Sequence, residues 1–328
     1  MKICGACERD LPRESFSGKQ WRIRKSLRRC AECVAAGNEL VLFTKGRERS
    51  EDDECPICSR LLPLEDDETV LQSCCMKTIC TGCAYQTRMS DDCPFCRAPR
   101  PDTCEERVST IQKRVDVGDP VAIRHLGDCH MRGTHGFEKD MPKALKLLDR
   151  AAELGVKEAH FQLGCAFDED IDDWGIDKDK ARAVEHYEIA AKQGHAFSRF
   201  NLGTIEHDTG NNGLALKHWM ISAKLGDADS IDKIKDMLRW GIASKSDYAE
   251  DLRGFNDAVE EMSSSERDEA RHTEEKLIAR RNHHKVLATT DLPSVATKLM
   301  IESHNSRVSI GLVCDLNLVH FPPPHRGR

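Results

Sequence analysis

Small, aliphatic and glycine positions recur with helical spacing along residues 118–262. Turn glycines mark the period: Gly118, Gly155, Gly194 and Gly226. A small residue follows each glycine by four positions, and an aliphatic residue follows four later: Ala122, Ala159, Ser198 and Ser230, then Leu126, Leu163, Leu202 and Ile234. A second register holds large residues: Leu148, Tyr187, Trp219 and Phe255. Such spacing predicts amphipathic helices, and a glycine after the last turn ends a helix. The segment therefore predicts stacked helix pairs.

This pattern resembles the SEL-one-like repeats, which are relatives of tetratricopeptide repeats. Glycine follows the aliphatic position in three units, whereas Lys235 replaces it in the fourth, as expected of a terminal cap. The resemblance implies a short α-solenoid that recruits protein partners. We expect the histidines of the repeats to be scattered surface or packed residues: His125, His160, His186 and His195. Cys129 and Cys165 are interpreted as buried small apolar residues.

The C-terminal part of the chain loses this period. Ser263 to Glu266 is typical of a helix N-terminus and predicts a charged helix over residues 263–285. Residues 286–328 lack helical spacing and end in a proline-rich run, so we expect a disordered tail.

Composition favours a helical, water-exposed architecture. Of the 328 residues, 39% are hydrophobic, 32% charged and only 5% aromatic. No apolar run approaches the ~20 residues that a membrane helix needs, and the N-terminus lacks the apolar segment of a secretory signal. We therefore expect an intracellular protein, cytoplasmic or nuclear, with no membrane partner.

Charge is distributed unevenly along the chain. Residues 1–50 carry a net charge of +6 and residues 51–104 a net charge of −6, while the whole chain carries −7. This excludes a nucleic-acid footprint over the whole surface. The run Glu51 to Glu54 predicts that residues 41–54 are an acidic linker between two small units.

Twelve of the sixteen cysteines lie within the first 96 residues, mostly in pairs two residues apart. Reduced cysteines in such pairs are typical zinc ligands. The first four can hold one zinc ion within residues 1–40: Cys4, Cys7, Cys30 and Cys33. So short a unit cannot bury enough apolar surface to fold alone, so metal binding would supply its folding free energy.

The residues between these pairs, Leu11-Pro12, Phe16-Ser17, Gln20 and Arg28-Arg29-Cys30, resemble the Stc-one-type zinc finger. That resemblance implies a protein-interaction adaptor module linked with chromatin and RNA silencing. Residues 19–29 also carry six basic side chains around Trp21. They are either a phosphate-contacting patch or a solvated face with Trp21 packed on the small core. We favour the second interpretation, because one aromatic ring is a thin stacking platform.

Eight further cysteines lie in residues 55–100: Cys55, Cys58, Cys74, Cys75, Cys80, Cys83, Cys93 and Cys96. The sequences Cys55-Pro56-Ile57-Cys58 and Cys93-Pro94-Phe95-Cys96-Arg97 resemble an all-cysteine RING finger. The resemblance implies two interleaved zinc sites, one with Cys55, Cys58, Cys80 and Cys83, the other with Cys74, Cys75, Cys93 and Cys96. Lys77 stands where the commoner type has a ligand histidine, so adjacent Cys74 and Cys75 would both have to reach one metal. The alternative is a degenerate finger with a single zinc ion.

RING domains act by docking a charged ubiquitin-conjugating enzyme and orienting its thioester, without a nucleophile of their own. The resemblance implies that Ile57 and Pro94 form the docking surface and that Arg97 clamps ubiquitin. The large apolar residue often found after the sixth ligand is absent, and Ala84 and Tyr85 are the nearest candidates. A structural zinc module without activity is the alternative.

The sequence therefore predicts a mainly α protein in which small α+β zinc-finger modules precede an α-solenoid of helix pairs over residues 118–262. The favoured function is a zinc-binding RING-type ubiquitin-protein ligase whose solenoid recruits protein clients. One alternative is a non-enzymatic adaptor. The other is a nucleic-acid-associated factor that uses residues 19–29. The cysteines predict three zinc ions, and the RING resemblance implies no catalytic nucleophile.

Overall fold

The structure, a computed structural model, describes residues 1–168, 178–273 and 276. Its N-terminal third contains β1 (Lys2–Ile3), β2 (Asp10–Leu11), α1 (Gly18–Arg22), α2 (Ala31–Ala35), α3 (Val41–Thr44), β3 (Thr69–Gln72), β4 (Lys77–Cys80) and α4 (Thr81–Gln86). The helices that follow are α5 (Cys104–Asp116), α6 (Pro120–Arg132), α7 (Met141–Glu153), α8 (Lys157–Asp168), α9 (Lys180–Lys192), α10 (Ala196–Asp208), α11 (Asn212–Lys224), α12 (Ala228–Arg239) and α13 (Lys245–Met262). The mainly α prediction is confirmed. The predicted tail, residues 286–328, lies outside the described residues.

Helices α6 to α13 form the antiparallel pairs that the periodicity predicts. Aspartate side chains accept backbone N–H hydrogen bonds in the first turns of four helices: Asp119, Asp140, Asp179 and Asp227. Each such cap is worth about 1 kcal/mol. The turn glycines have left-handed backbones, for example φ 93° at Gly155 and 102° at Gly226. Glycine alone adopts this conformation at little cost, which explains its recurrence.

The two sequence registers meet in the core of each pair. A Cβ atom on Gly164 would lie 2.5 Å from the ring of Tyr187, and one on Gly203 would lie 2.5 Å from the indole of Trp219. Both aromatic side chains are about 1% exposed. The glycine of one helix therefore makes room for the large residue of its partner.

The chain divides into two compact units. Among the described residues, the first consists of Met1–Glu54 with Ile111–Met262, and the second of Cys55–Thr110 with the residues that follow Met262. We call residues 1–54 the N-terminal module and residues 55–100 the second module. Strands β1 and β2 pair antiparallel in the former, and β3 and β4 in the latter. In the described part of the chain no helix is long and apolar enough to cross a membrane.

Residues 41–54 differ from the predicted acidic linker. Leu42 and Phe43 on α3 are buried, and so is Asp53. The guanidinium of Arg199 on α10, itself fully buried, donates to the carbonyl oxygens of Leu42 (2.6 Å) and Lys45 (2.5 Å). The segment therefore packs on the repeats, because its apolar side chains and backbone carbonyls have partners more than 150 residues away.

An ion pair anchors the acidic end of the same segment. Lys157, at the start of α8, lies 2.6 Å from the Asp53 carboxylate. Burial opposes ionisation of Asp53, but Lys157 and Arg49 outweigh it and lower the carboxyl pKa. The acidic run that predicted a solvated spacer thus contains one carboxylate with a structural partner.

The second module has its own distant partner. Residues 265–273 form the described part of the predicted charged helix. Arg267, 3% exposed, donates to the carbonyl oxygen of Leu61 (2.7 Å) and lies 3.7 Å from the Cys58 sulfur. Arg271 pairs with Glu68 at 2.6 Å. This helix is therefore part of the second unit, through a charged face that sequence alone assigns to solvent.

Candidate metal centres

The first cluster of thiols joins two short elements of the N-terminal module. The sulfur atoms of Cys4, Cys7, Cys30 and Cys33 all lie within 4.8 Å of one another. The first pair lies in the turn after β1, and the second pair begins α2, where the Cys33 N–H donates to the Cys30 sulfur. Burial raises the pKa of Cys4, but backbone N–H donors, led by Cys30, outweigh it and lower the pKa to about 6.

The second cluster repeats this design in the second module. It consists of Cys55, Cys58, Cys80 and Cys83, with the sulfur atoms within 4.8 Å of one another. Cys80 precedes α4, and the Cys83 N–H donates to its sulfur at 3.4 Å. A hydrogen bond from the Cys80 thiol, with backbone N–H donors, lowers the pKa of Cys55 to about 4. Both clusters thus combine a tight turn with a helix start.

The third cluster brings together Cys74, Cys75, Cys93 and Cys96. The sulfur of Cys75 lies 3.8 Å from that of Cys93, and the Cys74 and Cys96 sulfurs are 3.4 Å apart. Both adjacent cysteines therefore reach the same centre, which answers the steric concern raised by their spacing. The second and third clusters also interleave along the chain, in the two sets of four that the RING resemblance implies.

Turn geometry explains how two neighbouring cysteines converge. Three of the five Cys-x-x-Cys segments do not begin a helix, and in these the residue after the second cysteine is left-handed: Glu8, Ser59 and Arg97, with φ of 55–57°. Met76 has the same conformation, φ 56°, and its N–H donates to the carbonyl of Gln72 at 2.7 Å. Gln72 thus takes the place of the first cysteine in such a turn, and Cys75 takes the place of the second. Cys74 lies between these two positions.

Lys77 does not take the place of a ligand. Its ammonium group lies 4.8 Å from the centre of the Phe95 ring, in a cation–π contact. In the ligand set that the RING resemblance implies, the thiol of Cys74 would supply the donor that a histidine provides in the commoner type.

The predicted docking residues lie in different places. Pro94 and Arg97 line one shallow groove together with Met89, which is 63% exposed. Ile57 is 40% exposed and does not line this groove. From the sequence, only Ala84 and Tyr85 are candidates for the apolar residue after Cys83, so Met89, six positions after Cys83, is not named. Met89 could have been found as a large aliphatic side chain in the short segment before Cys93.

The basic segment 19–29 is partly used inside the fold. Arg24 forms ion pairs with Glu188 (3.0 Å) and Glu206 (2.6 Å) on the repeats. Arg28 is buried and donates to backbone carbonyls of its own module. Trp21 packs against Phe16, with ring centres 5.7 Å apart. These contacts support the interpretation of a small core and leave fewer cations for phosphate.

Comparison with known proteins bears on the repeats. The family model of the Sel1 repeat matches residues 120–156 and 157–195. The chain carries Sel1 repeats. This confirms the predicted solenoid of helix pairs, and Sel1 repeat proteins generally mediate protein–protein interactions.

A curated rat (Rattus norvegicus) protein, "DAP3-binding cell death enhancer 1", is 29% identical over 124 residues. The match covers 36% of this chain and 23% of the rat protein, so the chain spans about a quarter of that relative. Two solved structures are also similar. A Sel1 repeat protein from Oxalobacter formigenes shares 24% identity, over 56% of this chain and 71% of that one, with a TM-score of 0.42. The antigen c5321 of uropathogenic Escherichia coli shares 23%, over 47% and 33%, with a TM-score of 0.39.

Proposed function

We propose that this protein binds zinc at its three cysteine clusters and acts as a RING-type ubiquitin-protein ligase whose Sel1 repeats recruit protein clients. One observation carries the proposal: eight thiols of the second module converge in two interleaved sets of four. Four thiols at one centre are the donor set that structural zinc prefers. In each of the three clusters the four sulfur atoms lie within 4.8 Å of one another, so the residues fit the metal.

In this proposal zinc only stabilises the fold, and the chain's own side chains bind the conjugating enzyme and ubiquitin. Ile57, Pro94 and Met89 offer exposed apolar contact to the conjugating enzyme. Arg97 belongs to a turn closed by a hydrogen bond from its N–H to the Cys93 carbonyl at 3.0 Å. A guanidinium on so constrained a backbone is a suitable bidentate donor for carbonyl oxygens of ubiquitin. Rate enhancement comes from holding the thioester near the attacking lysine.

Clients would dock on repeat surfaces that the N-terminal module leaves free. The region around Arg199 is already covered by residues 41–54. Trp240, after α12, is 59% exposed and stacks on His207 with ring centres 5.7 Å apart. An ordered, exposed indole is the kind of side chain that often anchors a protein partner.

The decisive experiment measures discharge of ubiquitin from a panel of charged conjugating enzymes to free lysine, after elemental analysis of zinc. We expect Ile57→Ala to weaken docking, Arg97→Ala to slow discharge while sparing docking, and Cys55→Ser to abolish both. Ile189→Ala is a matched control, because Ile189 is 37% exposed and lies on the repeats.

Absence of acceleration by fully zinc-loaded protein across the panel would overturn the ligase proposal and leave the non-enzymatic adaptor. The nucleic-acid alternative is weaker, because Arg24 and Arg28 are engaged within the protein. It predicts binding that falls steeply with salt and is lost when Lys19, Arg22 and Lys25 are neutralised.

A further inference from the structure

We propose a fourth metal site, formed by His125, Cys129 and His135 in the first Sel1 repeat. The side-chain ligand atoms of these three residues lie within 4.8 Å of one another. The sequence pattern treats His125 as a scattered histidine and Cys129 as a small core residue, and His135 has no place in the repeat pattern. Folding of the repeat brings them together, independently of the cysteine clusters and of the ligase proposal.

Helix geometry supplies the first two ligands. His125 and Cys129 are four residues apart on α6, so they share one face. Cys129 is 2% exposed, while the two histidines are half-buried and reachable from solvent. The rings of His125 and His135 have centres 6.0 Å apart and are tilted by 45°. This arrangement leaves room for one ion between two nitrogens and a sulfur.

The loop between α6 and α7 supplies the third ligand and holds it in place. The N–H groups of Gly133 and Thr134 both donate to the carbonyl oxygen of Cys129, at 2.9 and 3.1 Å. The Asp140 N–H closes the loop on the His130 carbonyl at 2.8 Å. His135 itself has a left-handed backbone, φ 54°. A non-glycine residue in this conformation carries a cost that ligation would repay.

The donor set indicates the kind of ion. One thiolate and two imidazoles suit a borderline-soft divalent ion such as Zn²⁺, whereas Mg²⁺ and Ca²⁺ prefer oxygen. Closed structural zinc sites have four protein ligands, but only three converge here, so a fourth coordination position would remain open to water or to a side chain of a client. The metal would also tie the loop to α6 and so stabilise the first repeat.

The test compares zinc content per full-length chain by elemental analysis. We expect His135→Asn and Cys129→Ser each to lose one zinc equivalent relative to the unaltered protein, with unchanged helical circular dichroism. His135→Cys restores a ligand and should restore the equivalent. Cys165→Ser is the matched control, because Cys165 is a thiol of the next repeat outside the three-residue cluster, and it should lose none.

Cobalt provides a second readout. Co²⁺ bound to one sulfur and two nitrogens absorbs differently from Co²⁺ bound to four sulfurs. The spectrum of the fully loaded protein should therefore lose one component in His135→Asn and in Cys129→Ser, and none in Cys165→Ser. Equal zinc content and identical cobalt spectra in the unaltered protein and His135→Asn would overturn the site. Neither result depends on ubiquitin discharge.

Discussion

The N-terminal module and the second module share one local design and use it differently. Each has a thiol pair in a turn and a second pair at a helix start, and each receives a buried arginine from a distant helix. Arg199 donates to carbonyls of the N-terminal module, and Arg267 to a carbonyl of the second module. The N-terminal module, however, buries Phe43 against the repeats, whereas the second module keeps Ile57 and Met89 exposed.

This difference separates a module that is packed on the repeats from a module whose apolar side chains stay exposed. Cysteine spacing predicts which thiols cluster inside a module, but it does not predict which side chains the module exposes on its surface. The N-terminal module packs on the repeats, while the second module keeps exposed apolar side chains, which the proposed function assigns to a partner. The five changes below test this distinction, beginning with the largest expected effect.

Removing a thiol should destabilise the repeats when the thiol lies in the N-terminal module, but not when it lies in the second module. Cys4→Ser should cost the metal-coupled folding free energy of the N-terminal module, about 10 kcal/mol or more, and also weaken the repeats packed on it. Cys80→Ser should unfold the second module and leave the repeats unchanged. Hydrogen exchange of amides in α9 to α11 is the measurement. Equal protection of these amides in both variants would contradict the distinction.

The buried arginines should be nearly as important as the metals. Arg199→Met leaves the buried carbonyl of Leu42 and the partly buried carbonyl of Lys45 without their charged donor, and should lower the unfolding free energy of the first unit by about 3 kcal/mol. Arg267→Met should cost the second unit somewhat less, since it donates to one carbonyl. Arg253→Met, on the exposed face of α13, should stay within about 0.5 kcal/mol. Urea unfolding compares the three variants.

Two glycines isolate the contact between the N-terminal module and the repeats. Gly46 and Gly37 are both left-handed, with φ of 63° and 68°. A Cβ on Gly46 would collide with the carbonyl oxygen of Ala191, whereas one on Gly37 meets nothing within 4 Å. Both alanine variants carry the backbone cost of about 1 kcal/mol, but Gly46→Ala should lose about 2 kcal/mol more. Similar thermal midpoints for the two variants would argue against a packed interface.

Acid should weaken the first unit through a buried histidine. Burial, then the cations of Arg199 and Arg24, lower the pKa of His218 well below its usual value. The unfolded chain protonates this ring below pH ~6.5 and the folded chain does not. Above that pH the neutral ring therefore does not lower the free energy of unfolding. Below it, about 1.4 kcal/mol is lost per pH unit.

The measurement is urea unfolding between pH 7.5 and 5 for the unaltered protein and His218→Phe. The variant keeps a ring against Phe43. Its free energy of unfolding should fall less steeply between pH ~6.5 and 5, because the protonation of one histidine in the unfolded chain is removed. His195, whose pKa burial and then Lys157 lower to about 3, contributes equally to both curves. Parallel curves would show that His218 is not the responsible group.

The smallest effect concerns Lys77. Lys77→Ala removes only an exposed cation–π contact and should cost about 0.5 kcal/mol without changing zinc content. Cys74→Ser should remove one zinc from the second module. Loss of zinc in Lys77→Ala would reassign the ligand set of the third cluster.

Local patterns were sufficient for the repeats. Glycine and small residues four apart on one helix, and a large residue at a set distance on the next, describe contacts between chain neighbours. The aromatic rings of Tyr187 and Trp219 therefore lie where the period predicts. The first cysteine set, named from spacing, and the two sets implied by the RING resemblance are likewise the sets whose sulfur atoms lie within 4.8 Å of one another.

Contacts between distant segments were beyond such patterns. No periodic pattern in residues 41–54 predicts their burial. Their partners Arg199 and Lys157 come from two different repeats, more than 100 residues away. Met76 accommodates the adjacent cysteines through a left-handed turn that residue types alone do not reveal. His135 reaches Cys129 only because the α6–α7 loop folds back over its own helix. Arg199 and Lys157 reach residues 41–54 only when the repeats have packed, whereas the contacts of Met76 and His135 depend on the backbone path of a local turn and a local loop. Residue types along the chain determine neither, because both depend on distances that exist only in the folded backbone.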